Sequence, residues 1–222
     1  MNGDSREYNK RSKSIYHKLS EEKQNDLINA GIKEFADKGL TGASLNKIAK
    51  NAGISVGVIY KYYSDKNALF LACVHYGLET LSEVLNDVIS HEDDIELCVK
   101  NIVNAVVQTS IDGSEINRMY NTISSMEANI FAKELAKEIE GLSAKVYVDL
   151  VAKAQKTGKI DKAADPNLFA FFFDSILMMI QFSYSCDYYK ERLKLYCGED
   201  VFQNNEKMIE ELTRFLLNAL KI

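Results

Sequence analysis

Hydrophobic residues recur along the chain every three or four positions, with polar residues between them, from about residue 20 to about residue 220. This spacing places apolar side chains on one face of an α-helix, and no useful stretch alternates as a strand does. The pattern therefore predicts an all-α fold of about nine helices. Their expected positions are 20–38, 44–52, 55–63, 64–89, 95–108, 114–123, 131–157, 165–188 and 200–220.

Helix-capping residues support these boundaries. Serine is a favoured N-cap residue, and a serine precedes each of the first four predicted helices: Ser20, Ser44, Ser55 and Ser64. Asp165 and Pro166 fit the N-cap and N1 positions of a later helix, which contains the most apolar run of the chain, residues 168–182. That run is shorter than the ~20 residues needed to span a bilayer, so we expect a buried helix.

Residues 41–63 contain the most informative pattern. Two short predicted helices meet across Gly53, which can take the positive φ of a sharp turn. The stretch contains Lys47, Lys50 and Lys61 and no Asp or Glu. Two short helices joined by a tight glycine turn are typical of a helix-turn-helix.

The second short helix has an exposed face suited to DNA. Ser55 and the free N–H groups behind it can face a phosphate, and Gly57 allows close approach of the backbone. Val56 can contact a thymine methyl group, while Tyr60 and Lys61 offer a hydroxyl and a positive charge. A tight helical hairpin inside an ordinary core is the alternative that the pattern leaves open.

The charge distribution agrees with a local polyanion partner. The whole chain has a formal net charge of −5. Residues 1–70 contain 12 Lys and Arg against 8 Asp and Glu, whereas residues 71–222 contain 15 against 24. A basic segment on an acidic body suggests a nucleic-acid footprint, although an uneven solvated surface would give the same numbers.

The region from Ser20 to Phe70 resembles the TetR family of transcriptional regulators. The resemblance includes Phe35 and Gly39 near the end of the first helix and the run from Ser55 to Tyr63. It also includes the following positions: Thr41, Ser44, Ile48, Ala49, Ala52, Gly53, Lys66 and Leu69. Tyr63 departs from the family, which usually has Phe there.

The resemblance implies a DNA-binding domain at residues 20–80, with the helix-turn-helix at about 43–63. It implies groove contacts by one set of residues: Ser55, Val56, Gly57, Tyr60 and Lys61. It implies phosphate contacts by a second set: Thr41, Ser44, Tyr62, Lys66 and, more weakly, Lys47. Residues 1–19 are expected to form a flexible basic arm, either a solvated tail or a source of further contacts through Arg6, Lys10, Arg11 and Lys13.

Residues 81–222 are then expected to form a ligand-binding and dimerisation domain, because that is what the resemblance implies. The last two long helices would make a homodimer interface, and a single large core in a monomer is the alternative. The effector pocket should be largely apolar. Its weakly predicted lining is Met119, Tyr120, Ile123, Met126, Phe131, Tyr147, Phe172 and Met179.

Together these features predict a dimeric cytoplasmic repressor that binds a palindromic operator and is released by a small molecule. Activation instead of repression stays open. We find no catalytic motif, so no enzyme activity is expected. The four cysteines and three histidines lack metal-ligand spacing, and neither a metal nor a cofactor is expected. A helical carrier or sensor of small molecules, without specific DNA binding, is the alternative function.

Overall fold

The structure, a computed structural model, describes residues 19–90, 94–123 and 132–220. Within these ranges it contains ten α-helices and no strand, which confirms the all-α prediction. The helices are α1 (Glu21–Gly42), α2 (Leu45–Asn51), α3 (Val56–Tyr62), α4 (Lys66–Ser90), α5 (Ile95–Asp112), α6 (Ser114–Ile123), α7 (Ala132–Lys156), α8 (Pro166–Ser185), α9 (Asp187–Cys197) and α10 (Asn205–Leu220). All but the last residue of the basic arm expected at 1–19 lie outside the described residues.

The chain divides into two compact units, Met1–Gly77 and Leu78–Ile222. The boundary falls within α4, close to the domain boundary expected at residue 80. In the first unit, α1 packs against α2, α2 packs against α3, and α1 meets the beginning of α4 through aromatic residues. Phe35 and Phe70 meet edge to face at 5.2 Å between ring centroids, and both are fully buried. Burial of these rings and of the aliphatic residues around them is the main contribution that holds α1, α2, α3 and the beginning of α4 together.

The core of the second unit is shared by α5, α7, α8 and α10. Val99, Ile102 and Val103 of α5 are fully buried, and they cluster with Phe173 of α8 and Leu216 of α10. Helix α8 is the central element, because it contacts α5, α6, α7 and α9. This position explains why its sequence is apolar on more than one side.

Most of the predicted helix starts agree with the structure. The side chains of Ser20 and Ser55 accept hydrogen bonds from backbone N–H groups three residues later, and Asp165 caps α8 ahead of Pro166. Ser44 occupies the predicted N-cap position of α2, although its side chain makes no capping bond. The cap predicted at Ser64 was wrong, because the carboxylate of Asp65 accepts the N–H of Ala68 at 2.8 Å instead.

The predicted helix at 165–188 is two helices in the structure. Helix α8 ends at Ser185, Cys186 has extended backbone, and α9 begins at Asp187. The hydroxyls of Ser183 and Ser185 donate to the carbonyls one turn earlier, a pattern that weakens and bends helices.

Helix α8 is longer than its apolar run suggested. It has 20 residues, and an 18-residue window within it has a mean hydropathy of 1.4, so by length and composition it could cross a membrane, and the argument from length was wrong. Ala170, Phe173 and Leu177 are nevertheless buried within the second unit, as in the core helix of a globular domain.

Candidate nucleic-acid interface and ligand site

The turn between α2 and α3 has the geometry of a glycine-terminated helix. Gly53 has a φ of 65°, which disfavours residues with a Cβ atom. The N–H of Gly53 donates to the Lys50 carbonyl at 3.2 Å, and the N–H of Ile54 donates to the Ala49 carbonyl at 3.0 Å. These two bonds form a Schellman motif, which ends α2 sharply and allows Ser55 to cap α3 two residues later.

Lys23 supports this turn from α1. Its ammonium group donates to the carboxylate of Asp26 at 2.9 Å and to the carbonyl of Ala52 at 3.4 Å. Asp26 raises the pKa of Lys23 through this hydrogen bond. The lysine thereby connects α1 to the end of α2, next to Gly53, and helps to fix the direction in which α3 leaves the turn.

Helix α3 presents an exposed face that contains no acid. Ile59 is fully buried and anchors the helix, whereas Tyr60 is 57% exposed. Gly57 and Lys61 are also exposed, and the Lys61 ammonium lies 5.9 Å from the centroid of the Tyr62 ring. The exposed face therefore carries a hydroxyl, a cation and a glycine. Of the residues predicted to face the groove, Ser55, Gly57, Tyr60 and Lys61 are exposed, and Val56 is half-buried.

Glu34 is a buried carboxylate beneath the N-terminus of α2. It is 3% exposed, it accepts the backbone N–H of Ser44 at 3.3 Å, and it lies 2.6 Å from the ammonium of Lys47. The hydrogen bond to Glu34 raises the pKa of Lys47. Sequence reasoning missed Glu34, although an acid inside the apolar stripe of α1 was a visible signal.

Lys66 is also occupied by intramolecular bonds. Its ammonium donates to the carbonyls of Thr41 at 2.7 Å and of Ala43 at 3.2 Å. The side chain thereby ties the beginning of α4 to the segment that leads into α2. Thr41 and Ser44 are exposed in this segment, so their hydroxyls are accessible from solvent.

A second polar cluster lies in the other unit, where α6, α7 and α8 meet. The hydroxyl of Tyr120 donates to a carboxylate oxygen of Glu140 at 2.5 Å, and it lies 3.6 Å from the sulfur of Met178. Burial raises the pKa of Asp174 to about 6, and the charge of Glu140 adds to this shift. Two carboxylates from different helices therefore share one partly desolvated region.

Tyr147 lies against the same region. It is 3% exposed, and its ring meets Phe173 edge to face at 5.1 Å between ring centroids. Burial, and next the charge of Asp174, raise the pKa of Tyr147. Burial and the bond to Glu140 likewise raise the pKa of Tyr120.

The predicted pocket residues have different environments. Met119, Ile123 and Tyr147 are buried, and Tyr120 and Met179 are half-buried. Phe172 is 57% exposed and lies beside the exposed Phe171, at 6.0 Å between ring centroids. Met126 and Phe131 lie outside the described residues. The acidic members of the region, Glu140 and Asp174, were not among the predicted residues.

Helices α8 and α10 each have large apolar residues that are exposed. Leu168, Phe171 and Phe172 of α8 are 55%, 65% and 57% exposed, and Phe215 of α10 is 58% exposed. The three residues of α8 share one side of the helix, opposite the buried Ala170 and Phe173. Large aromatic residues at this exposure are unusual on a monomer surface and typical of a protein interface.

No group of acidic, histidine and cysteine residues within the described ranges could hold a metal ion. The four cysteines are free, and burial raises the pKa of the Cys73 thiol. That thiol donates to the Ile28 carbonyl at 3.7 Å, as expected for a core residue.

Residues 27–73 match the model of a family described as bacterial regulatory proteins, tetR family. The chain is 27% identical to the HTH-type transcriptional regulator YuxN of Bacillus subtilis (strain 168), over 65% of this chain and 60% of YuxN. The chain thus covers less than two thirds of that relative.

Two solved structures have the same fold. One is a TetR family transcription regulator from Marinobacter aquaeolei VT8, with a TM-score of 0.68 and 23% identity, over 90% of this chain and 95% of that chain. The other is the transcriptional regulator FadR from Bacillus subtilis in complex with stearoyl-CoA, with a TM-score of 0.64 and 15% identity, over 89% and 97%. At these identities the likeness shows the fold alone.

Proposed function

Because the chain belongs to the TetR family of transcriptional regulators, we propose that it is a dimeric repressor that binds operator DNA through α3. A small molecule bound in the C-terminal unit would release the DNA. The observation that carries the proposal is the exposed, acid-free face of α3 on a helix-turn-helix with a well-formed glycine turn. The repressor would work in the cytoplasm, where its operator is.

Base contacts are assigned to the half-buried Val56 and to the exposed residues of α3. Val56 and Gly57 would approach the bases closely, and Tyr60 and Lys61 would reach base edges or the adjacent phosphates. The Ser55 hydroxyl already caps α3, but an oxygen that accepts one hydrogen bond can still donate its own proton to a phosphate. A phosphate contact is also assigned to Tyr62, whose ring centroid lies 5.9 Å from the Lys61 ammonium.

Phosphate contacts are assigned to the residues around the entrance to α2. The exposed hydroxyls of Thr41 and Ser44 have no intramolecular cap role and are free to turn toward DNA. Lys66 uses two of its three ammonium protons within the protein, so one remains for a phosphate. Lys47 is held by Glu34, which makes it the weakest DNA contact of the set.

A homodimer would cover the apolar surface of α8 and α10. Stable interfaces bury about 800 Å² on each partner, and aromatic residues are enriched at their centres. Phe172 fits this surface better than the pocket for which the sequence predicted it, because it is exposed beside Phe171.

The substitution Phe171→Asp should give monomers in size-exclusion chromatography with light scattering, while Tyr196→Asp, at an exposed position of α9, should leave dimers. Dimers in both variants would place the interface elsewhere.

The effector site is assigned to the junction of α6, α7 and α8. A ligand can release DNA only if it binds the two states of the repressor with different affinity. A difference of roughly 3 kcal/mol would weaken operator binding by about 100-fold. FadR from Bacillus subtilis was solved with stearoyl-CoA, so a large amphipathic ligand is compatible with this fold.

The DNA contacts can be tested with Tyr60→Ala and Lys61→Ala. Operator fragments are first selected from random duplex DNA, and the affinity of each variant is then measured by fluorescence anisotropy. We expect each change to weaken binding by roughly 1–3 kcal/mol, and loss of Lys61 to reduce the salt dependence by about one phosphate contact.

Matched controls are available on the second unit. Tyr196 is 78% exposed on α9, and Lys145 is exposed on α7. Tyr196→Ala and Lys145→Ala therefore remove a tyrosine and a lysine side chain that lie outside the helix-turn-helix. Both controls should bind the operator as the parent protein does. Unchanged binding by the α3 variants, or selection of no sequence at all, would favour the carrier alternative.

A further inference from the structure

We propose that Glu34 is a positioning residue of the DNA-binding unit, which holds the ammonium of Lys47 away from DNA phosphates and so lowers the affinity of the protein for any duplex. The proposal rests on the proposed function, because it concerns the same DNA-binding surface. It assigns a role in DNA binding to a buried acid that lies beneath a stretch, residues 41–63, without any Asp or Glu of its own.

The ion pair between Glu34 and Lys47 joins a buried group to a surface group. The Glu34 side chain is 4% exposed, the Lys47 side chain is 49% exposed, and their charged atoms lie 2.6 Å apart. The other carboxylate oxygen of Glu34 accepts the N–H of Ser44 at 3.3 Å, which fixes the carboxylate beneath the N-terminus of α2. The lysine is therefore the member of the pair that can move.

Burial of the carboxylate makes the release of Lys47 costly. A buried charge destabilises the protein unless an opposite charge and hydrogen bonds compensate it. If Lys47 moved to a phosphate, Glu34 would keep the N–H of Ser44 but lose its cation. A phosphate contact at the surface offers less in return, because water and salt screen it. Lys47 should therefore stay with Glu34 when the protein binds DNA.

Lys61 illustrates the contribution of a lysine that no acid holds in this way. It is exposed on α3, and its ammonium lies 5.9 Å from the centroid of a tyrosine ring. Each phosphate that such a lysine neutralises releases counterions, so log affinity falls with log salt with a slope of about −0.9 per contact. The charges of Glu34 and Lys47 cancel, so their pair should release few counterions. The salt slope should therefore include Lys61 and largely omit Lys47.

The first experiment measures how tightly the intact protein and Glu34→Gln bind duplex DNA at several salt concentrations. The duplexes are the selected operator and one of unrelated sequence. The variant frees Lys47 and keeps an acceptor for the N–H of Ser44, so both duplexes should bind about 8-fold more tightly at about 0.1 M salt. This gain should fall about twofold with each doubling of salt. Unchanged or weaker binding, as expected of a residue with a purely structural role, would overturn the proposal.

Lys47→Gln tests whether the added affinity comes from Lys47. In the Glu34→Gln background it should reduce the salt slope by about one contact and restore the slope of the parent protein. In the parent protein the same change should reduce the slope by less than half as much, because Glu34 already withholds the lysine. Equal reductions in the two backgrounds would show that the two charges act separately, and they would overturn the proposal.

A charge-matched control is available in the second unit. Glu96→Gln breaks an exposed ion pair with Lys159, whose charged atoms lie 3.2 Å apart, and changes the net charge by the same amount as Glu34→Gln. It should leave the salt slope unchanged. A gain in affinity equal to that of Glu34→Gln would attribute the effect to net charge and refute the role of Glu34.

A comparison within the parent protein does not require Glu34→Gln to fold. Lys61→Gln should reduce the salt slope by about one contact, and Lys47→Gln should reduce it by less than half as much. Both changes remove a lysine charge from an exposed position of the helix-turn-helix. Equal reductions would show that Lys47 contacts a phosphate in spite of Glu34, and they would overturn the proposal.

The two proposals fail in different ways. If the parent protein selects an operator and Glu34→Gln has the same salt slope, the repressor assignment stands and the role of Glu34 is wrong. If duplexes bind without sequence preference and Glu34→Gln still binds them more tightly, the role of Glu34 stands and the repressor assignment is wrong. If the parent protein binds no duplex, both are wrong, because the role of Glu34 depends on DNA binding.

Discussion

Replacing Asp174 with asparagine should make the protein more stable at neutral pH. Burial and the charge of Glu140 raise the pKa of Asp174 from 3.8 to about 6. Each pKa unit corresponds to about 1.4 kcal/mol, so the ionised carboxylate costs the folded state roughly 3 kcal/mol above pH 6. Asparagine has nearly the same shape and no charge, so the variant should recover most of that free energy.

The sign of the pH dependence follows from the direction of the shift. The folded state holds the proton of the Asp174 carboxyl group more tightly than the unfolded state does. Ionisation of Asp174 therefore lowers the free energy of unfolding as pH rises from about 4 to about 6. Glu140 is the charged neighbour, while Tyr120 and Tyr147 stay neutral because their pKa values are raised. The difference in the free energy of unfolding between Asp174→Asn and the parent protein should therefore reach about half of its full value at pH 5 and its full value at pH 8.

The assay is urea unfolding of parent and variant at pH 5 and pH 8, without ligand. Asp149→Asn is the matched control, and its exposed position should keep its effect within about 0.5 kcal/mol. A less stable Asp174→Asn at pH 8, or a difference that does not grow between the two pH values, would refute the reasoning.

Three further changes test the first unit. Gly53→Ala forces a Cβ atom into a left-handed conformation and should lower the free energy of unfolding by roughly 1 kcal/mol, measured with urea. Gly31→Ala places a Cβ atom 2.7 Å from the sulfur of Cys73 and should cost roughly 1–3 kcal/mol; adding Cys73→Ala should recover part of the loss. Glu34→Gln keeps an acceptor for the nearby N–H but loses the ion pair, so stability should fall by roughly 1–2 kcal/mol at low salt, with a smaller loss at high salt.

The sequence was sufficient for the helix-turn-helix because its signals are local. Gly53 and Ser55 lie within a few residues of the elements that they end and begin, and both act as expected. The predicted start of α4 was wrong because Ser64 and Asp65 are both good capping residues. The structure shows that the carboxylate of Asp65 makes the capping bond. The break at Cys186 was missed because no glycine or proline marks it.

The ligand region could not be derived in the same way. Its acids, Glu140 and Asp174, are far apart in sequence and become neighbours only when α7 packs against α8. A list of aromatic and methionine residues cannot separate pocket from core, because both have helical spacing. Phe172 illustrates this limit, since the same periodicity fits a pocket residue and a residue of the exposed apolar surface.

Selection of operator DNA from a random duplex pool by the intact protein tests the central claim most directly. Two copies of α3 related by a two-fold axis should enrich a palindrome whose half-sites lie about one helical turn, or a multiple of it, apart. Tyr60→Ala should weaken binding to both half-sites alike. Enrichment of no sequence, or of a palindrome whose binding is independent of the exposed face of α3, would contradict the account.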